Sequence, residues 1–205
     1  MSAKIRGLYA IIDADWLTPA LMSHAAQELI GAGATVIQLR AKTLGSGEFL
    51  KAAKDLRAAL KDAAFIVNDR VDIAMMSEAD GVHLGQDDLP VDEARALFGA
   101  KAIIGVSTHN LDEAIMAVSQ GADYIAFGPI FKTRSKHDAE EPKGLDALKE
   151  ICSAVELPVV AIGGITEENV HQVIAAGACA VAMISELMNA KDMKAKAASI
   201  SGKFS

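Results

Sequence analysis

The sequence predicts a compact α/β fold, a single (β/α)8 TIM barrel of parallel strands. Three observations carry that expectation. Strand-length apolar runs alternate with amphipathic stretches from one end of the chain to the other. The runs are almost continuously apolar, as strands of a sheet covered on both faces must be. Several of them stop at polar clusters, the first at Gln38, Arg40 and Lys42, the next at Asn68 and Asp69. A parallel sheet gathers its site at the C-terminal ends of its strands. With 205 residues and 51% hydrophobic content, residues 1–205 are expected to form one domain with a substantial core.

Strands are expected at 8–13, 36–40, 65–69, 81–85, 103–107, 124–128, 159–163 and 180–185. Amphipathic helices are expected between them, for example at 19–31, 47–61, 111–120 and 167–176. Thr18-Pro19 pairs an N-cap residue with proline at the first helical position. Asn110 followed by Glu113 resembles a capping box with asparagine as the cap. Thr166 precedes two glutamates, which suit the positive end of a helix. Gly-Ala recurs before three strands, in GAGATVIQL, GADYIAFG and GACAVAMI, as helix-to-strand turn chemistry repeated by the architecture. An open doubly wound sheet would show a glycine-rich phosphate turn after the first strand, and LYAIIDADW has none. Eight parallel strands joined by crossover helices close into a barrel.

Composition narrows the function. The net charge is −7 with both signs interspersed, so no basic face is available to nucleic acid. Aromatic content of 4% rules against a base-stacking platform. No apolar run reaches the roughly 18 residues of a membrane span, and MSAKIRGLYAIID lacks the form of a signal peptide. Cys152 and Cys179 lie in separate apolar segments without a CxxC, which reads as reduced, buried thiols of a cytoplasmic protein.

The polar residues expected at the strand ends form one set. The second strand contributes Gln38, Arg40 and Lys42, and the third Asn68, Asp69 and Arg70. Asp87 and Asp88 follow the fourth strand; Ser107, Thr108 and His109 end the fifth. Thr133, Ser135 and Lys136 lie in the 129–143 segment, which is too long for an ordinary β/α turn and is a candidate lid. Gly163-Gly164 and Ile184-Ser185 close the set after strands seven and eight, where barrels commonly bind phosphate through backbone N–H groups. Two carboxylates leaving adjacent strands, Asp69 and Asp88, suit a hard cation. Each residue also has a plainer role open to it. Gln38 and Arg40 could serve a structural ion pair, Asp69 and Asp88 could cap helices, and Gly163-Gly164 could be a tight turn only. His83 reads as a satisfied core histidine and His109 stays ambiguous. His24, His137 and His171 read as surface or loop residues, and no histidine spacing suggests zinc.

Taken together, QLRAK, NDRVDIA, ADGVHLGQDDLP, GVSTHN, GADYIAFGPIF, the T-x-S-K of 133–136, PKGLDAL, PVVAIGGI and MIS resemble the thiamine-phosphate synthase family, which shares a superfamily with the thiazole tautomerases. The resemblance runs from Leu8 to Ser185. It implies joining of a pyrimidine methyl diphosphate to a thiazole phosphate, with release of pyrophosphate. It further implies that Gln38, Leu39, Arg40, Ala41, Lys42, Asn68 and Lys136 hold the pyrimidine diphosphate and that Ser107 contacts the pyrimidine. Thr133, Arg134, Ser135, Gly164, Ile184 and Ser185 would hold the thiazole phosphate, and Asp69 and Asp88 would bind Mg2+. Arg40, Lys42, Ser107 and Lys136 would act in catalysis. The chain departs from the family at Lys132, where proline is usual, and at Ser135, where threonine is common.

No serine, cysteine or lysine is paired with a base as a nucleophile would require, and a dissociative displacement needs none. The implied partners are two small molecules, with no nucleic acid and no membrane, and a homo-oligomer remains open. Three rivals stand beside this reading: a thiazole tautomerase, a non-catalytic sensor of the same ligands, and an unrelated phosphate-binding isomerase. Arg40, Lys42, Asp69, Asp88 and Pro129 favour the synthase over the tautomerase, which would carry an acid/base histidine near Pro129.

Overall fold

A computed structural model describes residues 5–60, 63–133 and 141–204. Eight parallel strands close into a barrel in which each pairs with its sequence neighbours and β8 pairs with β1. The strands are β1 Gly7–Asp13, β2 Ala34–Arg40, β3 Ala64–Asn68, β4 Gly81–Leu84, β5 Ile103–Thr108, β6 Tyr124–Phe127, β7 Val159–Ile162 and β8 Ala180–Met183. The helices are α1 Pro19–Gly31, α2 Ser46–Ala59, α3 Val71–Met76, α4 Val91–Phe98, α5 Leu111–Ser119, α6 Gly144–Ala154, α7 Val170–Ala175, α8 Ser185–Met188 and α9 Met193–Ser201. No helix among the described residues is long and apolar enough to cross a membrane.

The continuous apolarity of the strands follows from two cores. Tyr9, Ile11, Val36, Ile66, Tyr124, Val160 and Ala182 point into the barrel. Alternate residues such as Leu8, Ile12, Ile37, Leu39, Phe65 and Val181 pack outward against the helices. Side chains alternate along a strand, so both faces must be apolar when both are covered. Along β2 the inward positions beyond Val36 are Gln38 and Arg40, and the core gives way to a site at that level.

Strand ends differ from the expected ones by a residue or two, and backbone conformation explains why. Asp69 adopts a positive φ of 63°, which turns the chain out of β3 after Asn68. Gly163 and Gly164, at φ 98° and 65°, do the same after β7. Helix α7 is shorter than the expected 167–176. Asn169 accepts from the Thr166 N–H at 2.8 Å and donates to the Gly164 carbonyl at 3.0 Å, so residues 164–169 form a stapled turn instead. Thr18 precedes α1 but its side chain makes no capping bond. Asn110 does cap α5, accepting from the Glu113 N–H at 2.9 Å. Glu113 reaches back one residue further than a capping box requires, to the His109 N–H. Asn110→Ala should therefore cost about 1 kcal/mol, read as a drop of roughly 2–4 °C in thermal midpoint.

Cys152 and Cys179 are free and half-buried rather than fully buried. Burial pushes the Cys152 thiol up to about 11 and raises Cys179 as well, so both stay protonated near neutral pH.

Candidate active site

A cavity of about 640 Å³ opens at the C-terminal ends of the strands. Its floor is polar although it sits on the inner core. The Gln38 amide donates to the Tyr9 hydroxyl at 2.8 Å, and Tyr9 and Tyr124 share a hydroxyl–hydroxyl bond of 2.8 Å. The Tyr124 hydroxyl lies 3.0 Å from His83 Nδ1, and His83 Nε2 lies 3.0 Å from Ser107 Oγ, a serine–imidazole pair that corrects the expectation of no serine beside a base. Gly105 makes room for this chain, because a Cβ there would lie 2.0 Å from the Tyr124 ring. His83 is thus buried and satisfied, as expected, and it also lines the cavity.

The wall after β2 carries charge. Arg40 Nη1 lies 2.5 Å from Asp13 and 3.6 Å from Asp15. Asp13 is only 1% exposed. The ion-pair role and the site role of Arg40 therefore coexist, since Arg40 also lines the cavity.

Beside it, Lys42 Nζ pairs with Asp69 at 2.9 Å. Asp69 in turn neighbours Asp88, whose other contact is the Gly85 N–H at 2.7 Å. Burial, followed by the Asp69 carboxylate, raises the Asp88 carboxyl, against the lowering effects of the Gly85 N–H and Lys42. Asp69 raises Lys42. Neither aspartate caps a helix, because α3 and α4 start without a side-chain cap bond. Arg70 turns away to Asp72 and Ser46.

The opposite wall is built from the loops after β6, β7 and β8. Ile130 and Phe131 donate to the carbonyls of Ile162 and Gly163, each at 2.9 Å, and so hold the chain after β6 alongside the end of β7. The returning chain is stitched beside them, with Lys143 N–H on the Pro129 carbonyl at 2.8 Å. Gly163 and Gly164 therefore do more than turn. A Cβ on Gly163 would lie 2.4 Å from Pro129, and one on Gly164 would lie 2.6 Å from the Lys132 carbonyl. Gly164→Ala should displace residues 129–133 and raise the KM for a phosphate ligand at least about tenfold, roughly 1.4 kcal/mol of binding; steady-state kinetics checks it.

Of the residues expected from sequence, Gln38, Arg40, Asn68, Ser107, Thr133, Gly164, Ile184 and Ser185 line the cavity. Lys42, Asp69 and Asp88 cluster beside it without lining it. The side chains of Leu39 and Ala41 do not reach it. Strand alternation turns both into the outer core, which leaves only their backbone to meet a ligand. Arg134, Ser135, Lys136 and His137 lie outside the described residues. His24 and His171 are exposed, as expected. His109 lines the cavity with its Nδ1 2.8 Å from Glu113. Sequence reasoning missed Asp13, Tyr9 and Tyr124. Each sits in an apolar strand, and only strand alternation marks the two tyrosines as inward-facing.

Two adjacent carboxylates, one already drawing an ammonium group, form a donor set suited to a hard cation. Among the described residues no group of three or more His, Cys, Asp and Glu gathers in this way. A cation held by Asp69 and Asp88 would thus keep sites for water and phosphate oxygens, which is how Mg2+ is usually bound.

A sequence model described as thiamine monophosphate synthase matches residues 8–187. The thiamine-phosphate synthase of Halalkalibacterium halodurans is 44% identical over 189 residues, 91% of this chain and 90% of that protein. That of Methanoregula boonei is 50% identical over 179 residues, covering 85% and 83%. The solved structure of a thiamine phosphate pyrophosphorylase from Pyrococcus furiosus superimposes with a TM-score of 0.90 at 36% identity, over 99% of this chain and 96% of the other. With this match over nearly its whole length, the chain belongs to the thiamine monophosphate synthase family.

Proposed function

We propose that this protein is a transferase joining a hydroxymethylpyrimidine diphosphate to a thiazole phosphate, giving thiamine phosphate and pyrophosphate. Membership of the family and the names of its relatives support the reaction class. The observation that carries the choice within the superfamily is the Lys42–Asp69–Asp88 cluster next to Arg40 at the cavity edge. A diphosphate leaving group needs such a concentration of cation sites; a tautomerase does not.

In the reaction the C–O bond between the pyrimidine methylene and the diphosphate breaks, and its electron pair leaves with pyrophosphate. The thiazole nitrogen then gives its lone pair to the methylene carbon. Mg2+ bound by Asp69 and Asp88 would supply charge stabilisation to the departing diphosphate. Arg40 and Lys42, with Lys136, would face the same developing charge. Asp13 holds Arg40 in place through one nitrogen, so the guanidinium is oriented before the ligand arrives. Asn68 and Ser107 would position the pyrimidine, whose amino group stabilises the benzylic-type cation. Thr133, Ser135, Gly164, Ile184 and Ser185, with Arg134, would hold the thiazole phosphate. The inward apolar residues exclude water, which would otherwise trap the cation. Two free thiols fit a cytoplasmic setting.

His109 with Glu113 is the arrangement that speaks for the tautomerase, since it could move a proton within the cavity. Pro129 occupies the loop where such an enzyme would carry its histidine. Mixing the purified protein with Mg2+ and both substrates tests the proposal. Thiamine phosphate should form at a rate proportional to protein; its absence would refute the transferase reading.

A further inference from the structure

Building on that proposed reaction, we infer that Tyr9, Tyr124 and His83 are positioning residues that fix the hydrogen-bond polarity of the cavity floor and so select an aminopyrimidine over its oxo counterpart. The hydrogens of the buried chain set its direction. The Gln38 amide donates to Tyr9, and the arrangement that places every hydroxyl hydrogen of the chain in a bond has Tyr9 donating to Tyr124. Tyr124 must then give its own hydrogen to His83 Nδ1. A neutral His83 ring accepting at Nδ1 carries its hydrogen on Nε2 and donates it to Ser107 Oγ. The Ser107 hydroxyl accepts there and directs its own hydrogen to the cavity it lines.

The two ends of the chain therefore differ. Ser107 offers a donor, and Gln38, one of whose two amide hydrogens is given to Tyr9, presents its carbonyl oxygen as an acceptor. An aminopyrimidine presents a ring-nitrogen acceptor beside an amino donor. The oxo counterpart, as its lactam, presents an N–H donor beside a carbonyl acceptor, the reverse pattern. Reversing the floor would require every group in the chain to turn over together, including the Gln38 amide.

Burial raises both tyrosine hydroxyls, so both retain the hydrogens that direction requires. Tyr9 is 2% exposed and Tyr124 0%. Mismatched buried polar groups are what allow a site to reject an analogue strongly.

The test uses Tyr124→Phe, which cuts the chain at its centre, and Tyr9→Phe, which frees Gln38 while leaving the His83–Ser107 link. The probes are the monophosphates of the aminopyrimidine and of its oxo counterpart, read as competitive inhibition constants against the coupling reaction. Neither carries a diphosphate to expel, so intrinsic reactivity drops out. The wild type should prefer the amino probe by at least about thirtyfold, and each variant should fall below about threefold. A preference unchanged within twofold in a folded variant, shown by its thermal midpoint, would overturn the inference. If Tyr124→Phe does not fold, Tyr9→Phe decides alone. Failure of the underlying reaction looks different, because the wild type itself would then form no thiamine phosphate.

Discussion

Asp69→Ala and Asp88→Ala are each expected to lower turnover at least about a hundredfold, the scale of losing a major electrostatic stabiliser. The reason lies in how the two carboxylates are held. Asp69 is paired with Lys42, and the Asp88 carboxyl is raised by burial and by the nearby Asp69 charge. Two like charges at close range, one of them partly desolvated, are destabilising until a cation joins them. Added Mg2+ should therefore raise the thermal midpoint of the wild type in the absence of substrate, and that rise should vanish in Asp88→Asn. The pH dependence has a definite sign. A carboxyl raised in the folded state destabilises the fold as pH climbs from its unfolded value through its folded one. Without divalent cation, stability should fall across that interval, and Mg2+ should restore it at higher pH. Full activity in excess EDTA, or near-normal turnover of both alanine variants, would remove the metal from the mechanism.

Arg40→Ala is expected to cut kcat/KM for the pyrimidine diphosphate at least about a hundredfold and also to weaken the fold. Arg40 faces the cavity and at the same time neutralises Asp13. Removing it leaves a nearly inaccessible carboxylate without its partner, a loss of the order of 3–5 kcal/mol. The two effects separate in the double variant Asp13→Asn with Arg40→Ala. There the buried charge is gone, so stability should largely return, while activity should remain at the level of Arg40→Ala. Recovery of activity along with stability would make Arg40 a structural residue only. Arg40→Lys should fail to restore full activity, because an ammonium group lacks the planar fork that bridges Asp13 and a phosphate.

Much of the architecture could be read directly from residue patterns. The eight strands stand out because each is apolar on both faces, and the polar residues at their ends mark the site rim. Strand termini were harder, since Asp69 turns the chain with a positive φ that its residue type does not announce. The site was legible where chemistry sits on special residues: Arg40, Asn68, Ser107, Gly164 and Ser185 all reach the cavity. It was obscured where one residue serves two purposes. Tyr9 and Tyr124 read as core, and they are core, yet their hydroxyls form the floor. Asp13 ends an apolar run and shows its role only once β1 lies beside β2, with Asp13 opposite Arg40. Leu39 and Ala41 are the converse, placed near a ligand by contiguity in QLRAK but turned outward by the pleat. Gly163 and Gly164 looked like phosphate-binding glycines, and nothing in the motif disclosed the close approach of residues 129–132.

The proposed mechanism turns on a diphosphate leaving from this site. The most direct measurement incubates the protein with Mg2+, the pyrimidine diphosphate and the thiazole phosphate, and in parallel with the thiazole carboxylate phosphate alone. Pyrophosphate and thiamine phosphate are counted in the first reaction and isomerised thiazole in the second. Pyrophosphate should appear one-for-one with thiamine phosphate, with little isomerisation. Efficient isomerisation without coupling would contradict the account while leaving the barrel as described.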